Sequence, residues 1–283
     1  MRNRSHLLFA IGLCWLWASP AAAEDAEADA SIASETIGVS AESAQPAEPI
    51  DGPVAQQSGW QFSTYTYLWL SGMSGDMGVV EQVAPVEVDL SFGDILSHLK
   101  FAFMGAAEAR RGRFVATGDT MFIKLKASDD VEIREVDFLD VTLKSTTFIT
   151  TVTAGYRALD EDRLYFDLFG GARLNMMKVG LDLDGPQRSF SGSKTETWLD
   201  PIIGARFQMP LGPRWTAKTY ADLGGFGIGS HLTWQLSGTI DYDISRRWSL
   251  SAGWRHLSID FEDDGYVFDA SMDGPILGAI YRF

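Results

Sequence analysis

The chain has 283 residues, 46% of them hydrophobic and 22% charged, with a formal net charge of -15. That is too much apolar material for a chain disordered throughout, and the acidic balance argues against a nucleic-acid partner, because a phosphate backbone needs cationic neutralisation. One cysteine excludes a disulfide scaffold and a cysteine-ligated zinc site, and beyond the N-terminal leader no segment approaches about 18 consecutive apolar residues, so helical membrane spans are excluded too.

Residues 1–23 read as a secretory signal peptide: Arg2 and Arg4 give a positive start, Leu7 to Trp17 an apolar core, and Ala21, Ala22 and Ala23 a small-residue cleavage site. Cys14 follows Leu13, where a lipoprotein signal needs a small residue, so no lipid anchor is expected. Residues 24–58 carry eight acids (Glu24, Asp25, Glu27, Asp29, Glu35, Glu42, Glu48 and Asp51) and no Lys or Arg. Such a stretch buries too little apolar area to offset the entropy of ordering, and is expected to be a disordered periplasmic tail.

From Gly59 to Phe283 the chain alternates with period two. Leu232, Trp234, Leu236, Gly238, Ile240 and Tyr242 alternate with His231, Thr233, Gln235, Ser237, Thr239, Asp241 and Asp243; residues 164–175 and 215–224 do the same. Alternation alone fits a soluble sandwich as well as a membrane barrel. Two features favour the barrel. Trp60, Trp198, Trp215, Tyr242, Trp248 and Tyr281 sit at segment ends, where a membrane interface would hold amphipathic rings. Tight turns at 110–113, 159–163, 210–214 and 245–247 also alternate with longer stretches at 71–99, 127–139, 179–193 and 262–271.

Ten spans follow, near 60–70, 101–110, 114–126, 140–157, 164–178, 195–209, 215–225, 231–244, 248–261 and 273–283. Eight or twelve strands remain open, because 76–90 and 129–137 suit hairpin extensions or extra strands, and Phe92 to Lys100 suits a short helix at the barrel mouth. Gly224 to Gly229 reads as a strand end and turn at the outer rim. The fold class is therefore all-β, an antiparallel transmembrane β-barrel.

The last residues, Leu277, Ala279, Tyr281 and Phe283 at alternate positions, resemble the closing strand of bacterial outer-membrane β-barrel proteins. Tyr67 to Gly75 and Phe101 to Arg110 are similar to stretches of uncharacterised proteobacterial barrels. The resemblance implies that Tyr281 and Phe283 form the signal read by the barrel-insertion machinery. It also implies a location in the outer membrane of a Gram-negative cell, in contact with its lipid and lipopolysaccharide. It implies no activity.

Register follows from the turns. Pairing about Arg246 sets Ser237 opposite Arg255 and Asp241 opposite Ser251, all inward. Beyond Arg255 the polar residues His256, Ser258 and Asp260 change phase against Leu257 and Ile259, which predicts a bulge or an emergence from the membrane. Pairing about Pro210 to Pro213 sets Asp200 opposite Asp222, two carboxylates that an arginine clamp from Arg173 or Arg206 would reconcile.

Parity places Glu108, Asp119, Asp167, Glu196, Asp200, Asp222, Asp241 and Asp243 in the lumen with Lys144, Arg173, Arg206, Lys218, Arg255 and Arg282. A base facing lipid near the midplane costs about 2–4 kcal/mol, which forces most of these inward. A barrel of roughly eight strands fills its own interior, so at ten the charges are expected to form a network that closes the lumen or leaves a narrow, porin-like passage for ions or small solutes. A rival reading is a hydrolase or lipid-modifying enzyme. His231 lies at the outer end of its strand, within reach of Asp260 or Glu262, whereas Ser97 and His98 would point apart on a strand. A third is surface adhesion or lipopolysaccharide contact through the loop from Ser71 to Lys100. No nucleotide or metal motif appears, so no cofactor is implied, and no catalytic role is expected.

Overall fold

The computed structural model describes residues 59–78, 85–133, 137–161, 164–184 and 189–283. The signal peptide and the acidic tail at 24–58 lie outside the described residues.

The chain forms strands β1 (Gln61–Trp69), β2 (Gly72–Gly78) and β3 (Val86–Leu90), helix α1 (Phe92–His98), and strands β4 (Leu99–Arg111), β5 (Phe114–Ile133), β6 (Asp137–Glu161), β7 (Leu164–Asp184), β8 (Ser189–Pro210), β9 (Trp215–Gly225), β10 (Leu232–Asp243), β11 (Trp248–Asp263) and β12 (Tyr266–Arg282). Strands β1 and β4 to β12 pair in order, and β12 returns to β1, which closes a ten-stranded antiparallel barrel. Closure leaves the ring without the unpaired edge that a hydrocarbon environment penalises.

The two remaining strands are an outgrowth of the ring. β1 and β2 share one register against β12, from Ser63 opposite Arg282 to Gly78 opposite Val267. On its other edge β1 pairs with β4 only as far as Thr66 and Gly105, and β2 then pairs with β3. Where the β1–β4 ladder has ended, the Trp69 amide donates to the Met104 sulfur at 3.3 Å. Helix α1 is the short helix expected at the barrel mouth. Its Ser91 cap and Asp94 form a reciprocal capping box, and the Ser91 hydroxyl and amide hold the Asp94 carboxyl below the usual carboxylate range.

At one end the strands turn tightly; at the other they run on as hairpins. The stretches expected to be long loops at 127–139, 179–193 and 262–271 are largely paired strand, so β5 has 20 residues and β6 has 25. At β11–β12 the turn is only Asp264 and Gly265, both with positive φ (44° and 75°), the geometry an Asp-Gly pair provides in a two-residue hairpin.

The apolar parity faces outward. Phe62, Val152, Leu168, Ile203, Leu236, Ile240, Leu250 and Leu277 are all exposed on the wall. At the tight-turn end, ring pairs Trp215–Tyr242 (4.6 Å) and Trp248–Tyr281 (4.8 Å) form a girdle with Trp60 and Phe283. Trp198 is not part of it. Its ring points into the lumen, 6% exposed, stacked 3.9 Å from Phe261.

The phase change after Arg255 is not a bulge. β10 and β11 keep one register from Asp243 opposite Ser249 to Leu232 opposite Asp260. The inward positions themselves change chemistry: Arg255 is followed by Leu257, Ile259 and Phe261, which join Tyr67, Trp69, Met104, Met121, Trp198 and Phe268 in an apolar core filling the hairpin half of the barrel. Leu257 is fully buried, so Leu257→Ala is expected to cost about 2–5 kcal/mol by leaving a cavity. Leu250→Ala, on the outer wall, should cost far less. Urea midpoints of the refolded barrel check this, and equal losses would place Leu257 on the outside.

Candidate functional site in the barrel lumen

The tight-turn half of the lumen is ionic. Asp167, inward on β7 and 1% exposed, accepts from three arginines: Arg157 Nε on Oδ1 at 3.0 Å, and Arg110 Nη2 and Arg206 Nη2 on Oδ2 at 2.8 Å each. Glu108 on β4 accepts from Arg206 Nη1 at 2.6 Å and Arg110 Nε at 3.2 Å. Arg157 also reaches Asp160, at 3.9 Å, and lies over the Tyr165 ring at 4.4 Å. A single carboxylate can serve three guanidiniums because its two oxygens offer about four lone-pair directions.

A second tier is centred on two arginines. Arg173, fully buried, donates through Nη2 to Asp222 at 2.7 Å, through Nη1 to Thr233 at 2.8 Å and through Nε to Thr151 at 3.2 Å; Tyr220 donates to the same Asp222 oxygen at 2.7 Å. Arg255 donates to Tyr67 and Gln235 at 2.8 Å each and to Asp119 at 3.3 Å, and its guanidinium lies 4.8 Å from the Trp69 ring centre, at the boundary with the apolar core. Lys218 pairs with Asp241 at 2.7 Å, and Arg282 with Asp243 at 3.1 Å.

Asp200 stands apart from Asp222. The β8–β9 register sets Gly204 opposite Asp222, because the pairing is centred on Pro213 and not on the middle of the Pro210 to Pro213 turn. Asp200 instead lies beside the β9–β10 turn and accepts from Ser230 N at 2.6 Å, Ser230 Oγ at 2.9 Å and Asn175 Nδ2 at 2.8 Å. The arginine clamp exists on Asp222 alone, and it is Arg173; Arg206 serves Glu108 and Asp167.

Lys144 does not face the lumen. It is exposed on the outward parity of β6 and pairs with Asp182 at 2.5 Å. Glu196 is inward but lies towards the hairpin end, paired with Lys194 at 3.3 Å. Arg110 and Arg157, which end the expected spans 101–110 and 140–157 and were not among the expected lumen residues, are inward and buried; the signal was their parity with Glu108 and Thr153. Among the described residues the ionic half thus sets Glu108, Asp119, Asp160, Asp167, Asp200, Asp222, Asp241 and Asp243 against Arg110, Arg157, Arg173, Arg206, Lys218, Arg255 and Arg282. That is near neutrality within one chain, so the lumen presents no strong field of either sign to a passing ion.

The histidines make weaker constellations. His231 Nδ1 and Asp260 Oδ1 approach to 3.5 Å, but both groups are about half exposed at the hairpin end. Ser97 and His98 lie on a helix, not a strand, and Ser97 Oγ comes within 3.0 Å of His98 Nδ1. Both atoms also contact the Asp94 carbonyl at 2.8 Å. A carbonyl only accepts, so the His98 Nδ1 that bonds it carries a proton and cannot take one from Ser97. A groove of about 600 Å3 opens on the outer wall over Ala107, Ala109, Ala116 and Gly118. No group of three metal-ligating side chains occurs among the described residues.

No known protein family and no curated protein matches the sequence. Among solved structures, the outer membrane protease OmpT of Escherichia coli aligns over 80% of this chain and 97% of its own at 8% identity and a TM-score of 0.47. The translocator domain of the autotransporter NalP of Neisseria meningitidis aligns over 83% and 92% at 14% identity and a TM-score of 0.43. The attachment invasion locus protein Ail of Yersinia pestis aligns over 80% of this chain and all of its own (100%) at 12% identity and a TM-score of 0.32.

Proposed function

We propose that this chain is a Gram-negative outer-membrane barrel whose role is structural or limited to slow ion leakage, with its tight turns and N-terminal tail on the periplasmic side. The observation that carries the reading is the closure of the lumen by its own side chains: fully buried Arg173 on Asp222, and three arginines on Asp167, below a packed apolar core. A solute would have to break several charge-assisted hydrogen bonds and displace Leu257, Ile259 and Trp198 to pass. The girdle of Trp215, Tyr242, Trp248 and Tyr281 and the apolar wall above it support the membrane assignment.

The same reading gives the chain no catalytic role. The His231–Asp260 pair is as exposed as an ordinary solvated ion pair, and the buried carboxylates are held by arginines, by Lys218 or by Ser230 and Asn175. Planar-bilayer recording of the refolded barrel, verified by heat-dependent mobility on a gel, is expected to show no steady open state. Stable, sizeable currents from wild-type protein would overturn the plug.

A further inference from the structure

We propose that the outer wall of β5, β6 and β7 carries a binding site for the phosphate groups of an anionic membrane lipid, built by Lys124, Lys126, Lys144 and Lys178. The proposal deepens the membrane reading and rests on it.

All four lysines are exposed and share the outward parity of their strands. The register brings them together: Lys126 stands directly opposite Lys144, and Lys124 and Lys178 flank one residue, Thr146, on the two edges of β6. They are four of the chain's seven lysines, on three neighbouring strands of a protein with net charge -15. Like charges directly opposed on a sheet repel, so the Lys126–Lys144 pair gains from an anion between them. The one carboxylate beside the pair among the described ion pairs is Asp182, which also accepts from Ser191. The next acids in register, Asp130, Asp140 and Asp184, stand four positions farther along the strands from Lys126, Lys144 and Gly180, about 13 Å away.

Their height matches a headgroup layer. The row below is aromatic, with Phe103, Phe122 and Phe148 in register and Phe101 beside Lys124; Phe122 makes edge contacts with Phe101 and Phe148 at 5.8 and 6.4 Å, and the Lys124 ammonium lies 5.2 Å from the Phe122 ring centre. From Phe114 at the tight turn to Lys124 the strand spans about 33 Å, which at barrel tilt becomes roughly 25 Å of height, the thickness of an apolar band in such membranes. The outward residues between, Ala116, Gly118, Thr120 and Phe122, are uncharged. The lysines therefore begin where hydrocarbon ends. The opposite wall of the same rim carries Asp260, Asp269 and Asp273, so the patch is one-sided and not a general basic collar. Multiply phosphorylated glycolipid headgroups offer anions at this height and spacing; lysine ammoniums bind phosphate as mobile point charges.

The test is native mass spectrometry of the full chain, folded as judged by heat-dependent gel mobility, with bis-phosphorylated lipid A and with its dephosphorylated counterpart as probes. The wild type is expected to retain the phosphorylated lipid at least about ten-fold better than the dephosphorylated one. The quadruple Lys→Ser variant should lose that preference, the quadruple Lys→Arg variant should keep it, and Arg111→Ser with Arg214→Ser at the opposite end should leave it unchanged. Lys126→Ser with Lys144→Ser removes the repelling pair and serves if the quadruple variant does not fold. Equal retention of both lipids, an unchanged preference in a folded Lys→Ser variant, or full competition by inorganic phosphate, which would make this a free-anion site, overturns the proposal. A wild-type chain that shows no heat-dependent shift and stays soluble without detergent overturns the membrane reading instead.

Discussion

Arg173→Met is expected to destabilise the barrel by about 3–5 kcal/mol, because it leaves the Asp222 carboxylate buried with only the Tyr220 hydroxyl for a partner. Thr151 and Thr233 lose their donor in the same step. The loss belongs to the stranded charge more than to the ion pair, since taking both ions out of water costs nearly what their attraction returns. The double variant Arg173→Met with Asp222→Leu should therefore recover most of the stability that the single variant loses. Urea unfolding of the refolded protein in detergent, run as a double-mutant cycle, reads this directly. A single-variant loss under about 1 kcal/mol, or a double variant worse than the sum of the two single ones, would mean that this tier is hydrated and does not hold the lumen closed.

The outward and inward faces were legible in the sequence because strand parity survives errors of register. Ser237 opposite Arg255 and Asp241 opposite Ser251 are as expected. Asp200 opposite Asp222 is not, yet both residues face inward, since the β8–β9 register is displaced by an even number of residues. Lys144 was misplaced by the rule that charges avoid lipid, which holds only within the apolar band; its tier lies beyond the band, where an outward ammonium is solvated. The inversion at Leu257 was misread for the converse reason. A lumen is polar only where its charges find partners, and above Arg255 it is packed with Trp198, Phe261 and Phe268 as a soluble core would be. Trp198 shows the same limit: a segment-end tryptophan suits a membrane interface, but here its Nε1 donates to Ser230 inside the barrel. Arg110 and Arg157 escaped notice because each precedes a tight turn, although parity already aligned Arg110 with Glu108.

Asp167→Asn is expected to convert the plug into a leak. The substitution keeps the side-chain shape but removes the charge on which Arg110, Arg157 and Arg206 converge, and replaces one acceptor oxygen by a donor facing guanidinium N–H groups. Glu108 then remains for Arg110 and Arg206, and Arg157 keeps Asp160 at 3.9 Å. One uncompensated positive charge inside the wall costs about 3–5 kcal/mol, which relaxation lowers by turning an arginine towards the open end and admitting water. Because the excess charge is positive, the current in planar bilayers should be small, flickering and anion-selective, whereas wild type shows no steady open state. Asp241→Asn is the control: Lys218, 29% exposed on its side chain, reaches solvent more easily, so stability and current should change much less. Substituting Arg110 by Met in the Asp167→Asn background removes the excess charge and should suppress the anion selectivity. A silent, fully stable Asp167→Asn barrel would show that the three arginines are neutralised by solvent, and that the apolar core around Leu257 and Trp198 closes the lumen alone.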